Sequence, residues 1–197
     1  MRDIVFDLGG VLIDWNPRYL FRDHLGGEPG AVEAFLGAVC TEAWHSKLDA
    51  GASFVELTAE LAARHPHYDE WIRRYASDWE RMFAGALEET VEQVGRLKRR
   101  GFRLHALSNY PAERIRFLYR AFPFMADFQT VVLSGLVGAT KPDERIYAYL
   151  LERIGRRQCL FIDDRAENVE AARRCGMRAV RFVRGTGFAE IAEILGA

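Results

Sequence analysis

VFDLGGVLID, residues 5–14, decides the fold. A short apolar run ends at a single acid, Asp7, and a turn built on Gly9-Gly10 follows it. Valine and phenylalanine ahead of the acid favour a buried strand, and the paired glycines stop it. Further along the chain, comparable runs recur at RLHALS (103–108), TVVLS (130–134), CLFID (159–163) and RAVRFV (178–183). Helix-like segments fall between them at about 111–120, 143–154 and 166–175, and a last helix is expected over 187–195. Strands that are apolar on both faces and alternate with helices mark a parallel sheet covered on each side. The fold class expected is therefore α/β: a doubly wound, five-stranded parallel sheet with an all-helical insert.

The insert follows the first strand. AVEAFLGAV, SFVELTAELAARH and EWIRRYASDWERMF each carry apolar residues at three-to-four spacing, the period of a helix with one buried face. Turn signals GGEPG (26–30), DAG (49–51) and HPH (65–67) separate them. Trp44, Trp71 and Trp79 lie inside this stretch and Trp15 just ahead of it. The expected organisation is a core of residues 1–15 and 86–197 interrupted by a helical unit, 16–85.

Composition narrows the partners. The 197 residues hold 27 Lys and Arg against 28 Asp and Glu, so the balance offers no electrostatic footprint for nucleic acid. The basic run at 96–100 is followed by Gly101, which reads as a helix C-terminus with cations at its negative end and a glycine cap. Cys40, Cys159 and Cys175 form no paired spacing, which argues against a disulfide framework or a zinc site. No apolar stretch approaches the roughly 18 residues of a membrane span. Asp3 and Asp7 interrupt the one apolar run a signal peptide would use, so the expected compartment is reduced and cytoplasmic.

In an open parallel sheet, ligands bind beyond the C-terminal ends of the strands, near the reversal of strand order. The residues there are Asp7, then Ser108-Asn109, then Asp163-Asp164, with Lys141 in the loop ATKPDERIY. Taken singly, each is an ordinary turn former or helix cap. Together, at the ends of successive strands, they suit phosphate. Carboxylates with water and phosphate oxygens make an oxygen-only Mg²⁺ site. A lysine, a hydroxyl and backbone N–H groups hold the other phosphoryl oxygens, and one carboxylate is free to attack phosphorus.

This set resembles the four motifs of the haloacid dehalogenase superfamily over the whole chain. VFDLGGVLID resembles the first motif, with Asp7 in the nucleophile's place. LSN at 107–109 resembles the second, with Ser108 and Asn109 on the phosphate; Lys141 in TKPDERIY matches the third. FIDDRAEN at 161–168 matches the fourth, with Asp164 the stronger metal ligand and Asp163 supporting it. The resemblance implies a helical cap, a Mg²⁺ cofactor held by Asp7, Asp163, Asp164 and the Gly9 carbonyl, and a small-molecule phosphate ester as substrate. In detail it is nearest to small bacterial phosphatases acting on glucose 1-phosphate and to the phosphatase domain of soluble epoxide hydrolase. Asp14, Trp15, Trp44 and His45 are then the residues of the cap side expected to meet substrate, although cap aromatics ordinarily form the cap's own core.

One departure stands out. The phosphatase pattern puts a second aspartate, the acid and base for the leaving oxygen and the hydrolytic water, where this chain has Gly9. A positioned acid–base group is worth ~10²–10⁴ in rate. Three readings follow: a phosphatase whose leaving group is protonated by water or by a nearby residue such as Asp14 or His45, or is good enough to need no proton; a 2-haloacid dehalogenase, which the acidic pair Asp163-Asp164 opposes; or a fold reused for binding or regulation.

Overall fold

The computed structural model describes residues 2–22, 30–155, 158–185 and 191. The chain opens with β1 (Asp3–Phe6), then β2 (Ile13–Trp15), and enters a helical stretch of α1 (Pro17–Phe21), α2 (Ala31–Ala38), α3 (Glu42–Asp49), α4 (Phe54–Arg64) and α5 (Asp69–Ser77). It returns through β3 (Phe83–Ala86) and α6 (Glu88–Arg99) to β4 (Arg103–Ser108), α7 (Ile115–Ala121), β5 (Thr130–Leu133) and α8 (Ser134–Val137). It continues through α9 (Glu144–Arg153), β6 (Cys159–Asp163), α10 (Ala166–Arg174) and β7 (Arg178–Arg181).

The strands β5-β4-β1-β6-β7 form one sheet in that order, every pairing parallel. β1 is central and wholly buried, which is why its four residues carry no polar group but Asp3. Successive side chains point to opposite faces. Ile4 and Phe6 join Leu104, Ala106, Leu160 and Ile162 against Val94 and Leu97 of α6 and Leu118 of α7. Val5, Leu107 and Phe161 pack on the other face against Ile146, Tyr147 and Leu150 of α9 and Val169 of α10. The doubly wound parallel sheet of the sequence reading is therefore what forms. The helix expected over 187–195 falls, apart from Ile191, outside the described residues, as does GGEPG apart from Gly30.

The insert builds a separate apolar cluster around Phe21, Phe35, Trp44, Tyr75 and Trp79. Two details differ from the helical reading. EWIRRYASDWERMF is not one helix: α5 stops at Ser77, a 3-10 turn spans Trp79–Met82, and Phe83 starts a strand. β3 then pairs antiparallel with β2, so a two-stranded ribbon stands where the chain leaves and re-enters the sheet unit. Apolar periodicity hid this ribbon, because its strands are three and four residues long. The short FAGA strand also carries Gly85, at φ +128°, a conformation open to glycine and strained for other residues.

Insert and sheet unit touch through main chain. Ser134 Oγ donates to the Asp49 carbonyl at 2.6 Å and accepts from Tyr110 N at 2.9 Å. Arg114 donates to the Ala76 carbonyl at 2.6 Å and lies over the Phe54 ring. Gly135 sits at this junction: a Cβ there would lie 2.5 Å from Ala112 N and 2.9 Å from the Tyr110 carbonyl. Neither backbone group can turn aside as a side chain would. Gly135→Ala is expected to lower the melting temperature by several degrees, from an overpacking cost of roughly 1–3 kcal/mol. Gly37→Ala, in α2 where a Cβ meets nothing within 4 Å, is expected to raise it slightly. Equal shifts in a thermal melt would contradict the packing described.

Candidate active site

Asp7, Ser108, Asn109, Lys141, Asp163 and Asp164 converge at the C-terminal edge of the sheet, where the order reverses about β1. Asp7 follows β1, and its N–H donates to the Ile162 carbonyl of β6 at 2.9 Å, fixing where the side chain emerges. Its Oδ1 accepts from Leu8 N at 2.7 Å and lies 2.8 Å from Lys141 Nζ. Among the described residues Oδ2 accepts no hydrogen bond, so one oxygen is anchored and the other is free.

Lys141 also donates to Asp163 Oδ2 at 2.6 Å. Asp163 is fully enclosed: its Oδ1 takes the Arg165 N–H at 2.9 Å, and Asn168 Nδ2 reaches both oxygens at 3.0 and 3.1 Å. Asn109 clamps the lysine's backbone from both sides, Nδ2 donating to the Lys141 carbonyl at 3.0 Å and Oδ1 accepting the Lys141 N–H at 2.8 Å. Most of that amide is thus committed to positioning Lys141, which leaves one N–H for a phosphoryl oxygen. Two of the lysine's three protons are engaged, and the third is available. Ser108 lines the same cavity.

The electrostatics follow from burial. Desolvation pushes the Asp7 carboxyl up to about 7, against the pull of the Lys141 ammonium. Burial opposes the charge on Lys141, but Asp163 and Asp7 override it and hold its pKa above the usual lysine range. Asp164 is raised too, by burial and then by the charge of Asp163.

Oxygens of Asp7, Asp163 and Asp164 lie within 4.8 Å of one another. Three carboxylates against one ammonium is an excess of negative charge in a desolvated place, and hard oxygen donors are the set that suits Mg²⁺. The residues present fit that ion. Asp163 is the most occupied of the three, with Lys141, Asn168 and Arg165 N on its oxygens, which leaves Asp7 and Asp164 the less committed carboxylates. Gly10 belongs to the same arrangement: it adopts φ +73°, and a Cβ there would collide with the Asp164 carboxylate. At Gly9 a Cβ meets nothing within 4 Å, so no side-chain steric reason requires glycine there.

A cavity of about 610 Å³ opens over these residues and is roofed by the insert. His45 lines it, stacked between Trp15, with centroids 5.0 Å apart, and Trp79, at 5.7 Å. Burial drives the His45 pKa down to about 4, against the pull of Glu42, so the ring is neutral near pH 7. Of the expected cap-side residues, Trp15 and His45 border the cavity. Asp14 and Trp44 do not. Asp14 is held by the Tyr19 hydroxyl at 2.9 Å and by Arg184 at 2.9 Å, and Trp44 packs inside the insert's own core against Tyr75.

Several residues of the site were not assigned from the sequence. Asn168 has no role in the sequence pattern beyond its place in FIDDRAEN; its position one helical turn after Asp164 is the signal that points to it. Asp49 belongs by sequence to the turn signal DAG, but His45 and Asp49 are four apart on α3 and so share a face. Arg165 reaches across to Glu42 of the insert at 2.5 Å, a contact no local pattern reveals.

Residues 1–176 match the family described as haloacid dehalogenase-like hydrolase. The chain is 31% identical over 193 residues to Phosphatase MT3486 of Mycobacterium tuberculosis, covering 89% of this chain and 84% of that protein. It is 25% identical over 183 residues to the sesquiterpene phosphatase astK of Aspergillus oryzae, covering 88% and 85%. Among solved structures, a HAD family enzyme from Bacteroides thetaiotaomicron in complex with magnesium and inorganic phosphate superposes with a TM-score of 0.74, covering 97% of this chain and 98% of that one at 20% identity. No helix among the described residues is long and apolar enough to cross a membrane.

Two outcomes test the charge balance. An ion held by the folded carboxylate cluster and not by the unfolded chain raises the melting temperature, and added Mg²⁺ is expected to do so. Asp164→Asn should remove most of that rise. In EDTA the folded protein keeps a proton on Asp7 that the unfolded chain has released between pH 3.8 and about 7, so this group makes stability fall as pH rises through that window. Asp7→Asn is therefore expected to be more stable than the wild type at pH 8, with the difference vanishing near pH 4. A variant less stable at pH 8 would contradict this electrostatic account.

Proposed function

Since the chain belongs to the haloacid dehalogenase-like hydrolase family, we propose that it is a Mg²⁺-dependent phosphatase acting on a small organic phosphate monoester, with a sugar phosphate the substrate class favoured. The observation that carries the reading is the state of Asp7, whose Oδ1 is anchored by Leu8 N and Lys141 while Oδ2 is left for the cavity the residue lines. A carboxylate held in one rotamer with one free oxygen is prepared for nucleophilic attack. The phosphatase names of the relatives, and the magnesium and phosphate bound to the Bacteroides enzyme of the same fold, point the same way.

In the proposed reaction, Asp7 Oδ2 attacks phosphorus in line, and the ester P–O bond breaks to leave an aspartyl-phosphate that water then hydrolyses. The third Lys141 proton, the Ser108 hydroxyl and the remaining Asn109 N–H hold phosphoryl oxygens as charge moves between them. Bound by Asp7, Asp164 and the Gly9 carbonyl, Mg²⁺ would supply the positive charge that keeps Asp7 ionised and offsets the phosphoryl oxygens. Asp163 keeps Lys141 charged and in place. In this account residues 1–15 and 86–197 form the catalytic core, and 16–85 form the cap that excludes water and selects the organic group. The roof supports a compact substrate: Trp15, Tyr75, Trp79 and Phe83 supply apolar faces, and Arg18, Glu33, Glu42 and Arg165 supply polar groups. The proposed setting is cytoplasmic, with neither nucleic acid nor membrane as a partner.

With p-nitrophenyl phosphate, Asp7→Asn is expected to reduce kcat below about one-thousandth of the wild-type value, and EDTA to abolish turnover reversibly. Activity surviving both would overturn the proposal. Chloride released from 2-chloropropionate without metal would identify a dehalogenase instead, and metal binding without turnover of any phosphate ester would identify a binding protein.

A further inference from the structure

Gly9 removes the side chain that would handle the leaving group's proton, so another group facing the cavity must do so or the reaction proceeds without it. Outside the Asp7, Asp163 and Asp164 cluster, the carboxylates among the described cavity-lining residues are Glu33, Glu42 and Asp49. Glu33 is exposed and paired with Arg18 at 2.5 Å, and Glu42 is exposed and paired with Arg165 at 2.5 Å. Asp49 differs from both. It is 7% exposed, and its Oδ1 is buried with no hydrogen-bond partner. An unpartnered buried carboxyl oxygen is costly to keep unless it has a use.

Asp49 is also held in position. Thr41 caps the N-terminus of α3 by accepting from Trp44 N at 3.1 Å, and Ser134 fixes the other end through the Asp49 carbonyl. Ser134 at the same time accepts from Tyr110 N, two residues beyond Ser108, so the last turn of α3 is tied to the phosphate-side loop after β4. His45 Nε2 lies 3.4 Å from Asp49 Oδ2. Tyr75 Oη lies 2.9 Å from His45 Nδ1; assigning the tyrosine as donor leaves the ring proton on Nε2, facing Asp49. The imidazole thus stands beside Oδ2, and Oδ1 is shut off from solvent without a partner of its own. Burial raises the carboxyl's pKa to about 7, against the nearby charge of Lys141, so both protonation states are populated at neutral pH.

Resting on the phosphatase reading, we propose that Asp49, delivered from the cap, is the general acid and base that replaces the missing carboxyl at Gly9. As Asp7 Oδ2 bonds to phosphorus and the ester P–O bond breaks, the Asp49 carboxyl gives its proton to the departing oxygen, releasing the alcohol. The Asp49 carboxylate then takes a proton from the water that attacks the aspartyl-phosphate. The P–O bond to Asp7 breaks, inorganic phosphate forms, and both aspartates return to their starting states. Asp14, held by Tyr19 and Arg184 outside the cavity, and His45, neutral and occupied by Tyr75, are not the proton source.

The test compares kcat/KM for p-nitrophenyl phosphate, whose leaving group needs no proton, with that for p-methoxyphenyl phosphate and glycerol 2-phosphate. Asp49→Asn is expected to lower kcat/KM on the two poor leaving groups by ~10²–10⁴ and on p-nitrophenyl phosphate by less than about tenfold. Because hydrolysis of the aspartyl-phosphate also slows, the variant should release a burst of p-nitrophenol equal to the enzyme concentration. Adding Gly9→Asp to Asp49→Asn should recover at least about tenfold on the poor leaving groups, since the space at Gly9 is open. An equal loss on all esters, or no loss on any, would overturn the assignment while leaving the phosphatase reading intact. A wild type that hydrolyses none of these esters with Mg²⁺ would overturn both. If Asp49→Asn is unfolded by circular dichroism, Asp49→Glu takes its place: the ratio between ester classes should shift in the same direction, and an unchanged ratio would overturn the proposal.

Discussion

An ammonium sealed from water between two carboxylates, Lys141 between Asp7 and Asp163, joins three segments of chain that are far apart in sequence. Each partner is enclosed by the strands it terminates or follows. Removing the ammonium from such a buried group costs roughly 3–5 kcal/mol, because buried carboxylates are left without compensation, whereas Asp7→Asn leaves Lys141 paired with Asp163. The arrangement dictates the rest of the site. Asn168 and Arg165 N saturate Asp163, Asn109 fixes the lysine's backbone, and Leu8 N orients Asp7. What remains is one oxygen of Asp7 and the carboxylate of Asp164, an excess of negative charge of the kind that suits a divalent cation.

Much of this was legible in the amino-acid sequence because parallel sheets impose their own order. Buried strands read as apolar runs, and the topology then sends the residues after them to one edge, so Asp7, Ser108, Lys141 and Asp164 could be placed together before any coordinates. What stayed hidden depended on distance in sequence or on direction. The β2–β3 ribbon pairs residues some seventy positions apart, and its strands are too short for a period to show. Trp44 and His45 are adjacent on α3, so they point apart: one fills the cap core, the other faces the cavity. Asn109 looks like a phosphate ligand by position, yet most of its amide clamps the Lys141 backbone and one N–H is left over.

The paired glycines acquire separate meanings. Gly10 is required by conformation and by the Asp164 carboxylate lying against it, so it shapes the carboxylate cluster. Gly9 is under no such steric demand, and in the proposed reaction its lack of a side chain leaves the leaving group's proton to another residue. With Asp49 as acid and base, the proton function lies in the last turn of α3 and not in the loop after β1. It then reaches the substrate only when the cap is seated, through the same Ser134 contact that joins cap to core. Acid–base chemistry and water exclusion become one event.

The central claim is that Asp7 carries the phosphoryl group during turnover. Enzyme mixed with p-nitrophenyl phosphate and Mg²⁺, quenched in acid within a few turnovers and digested, should yield the peptide containing Asp7 heavier by one phosphoryl group. Asp7→Asn should yield none. A wild-type digest in which that peptide is unmodified while another residue carries the phosphoryl group would contradict the account.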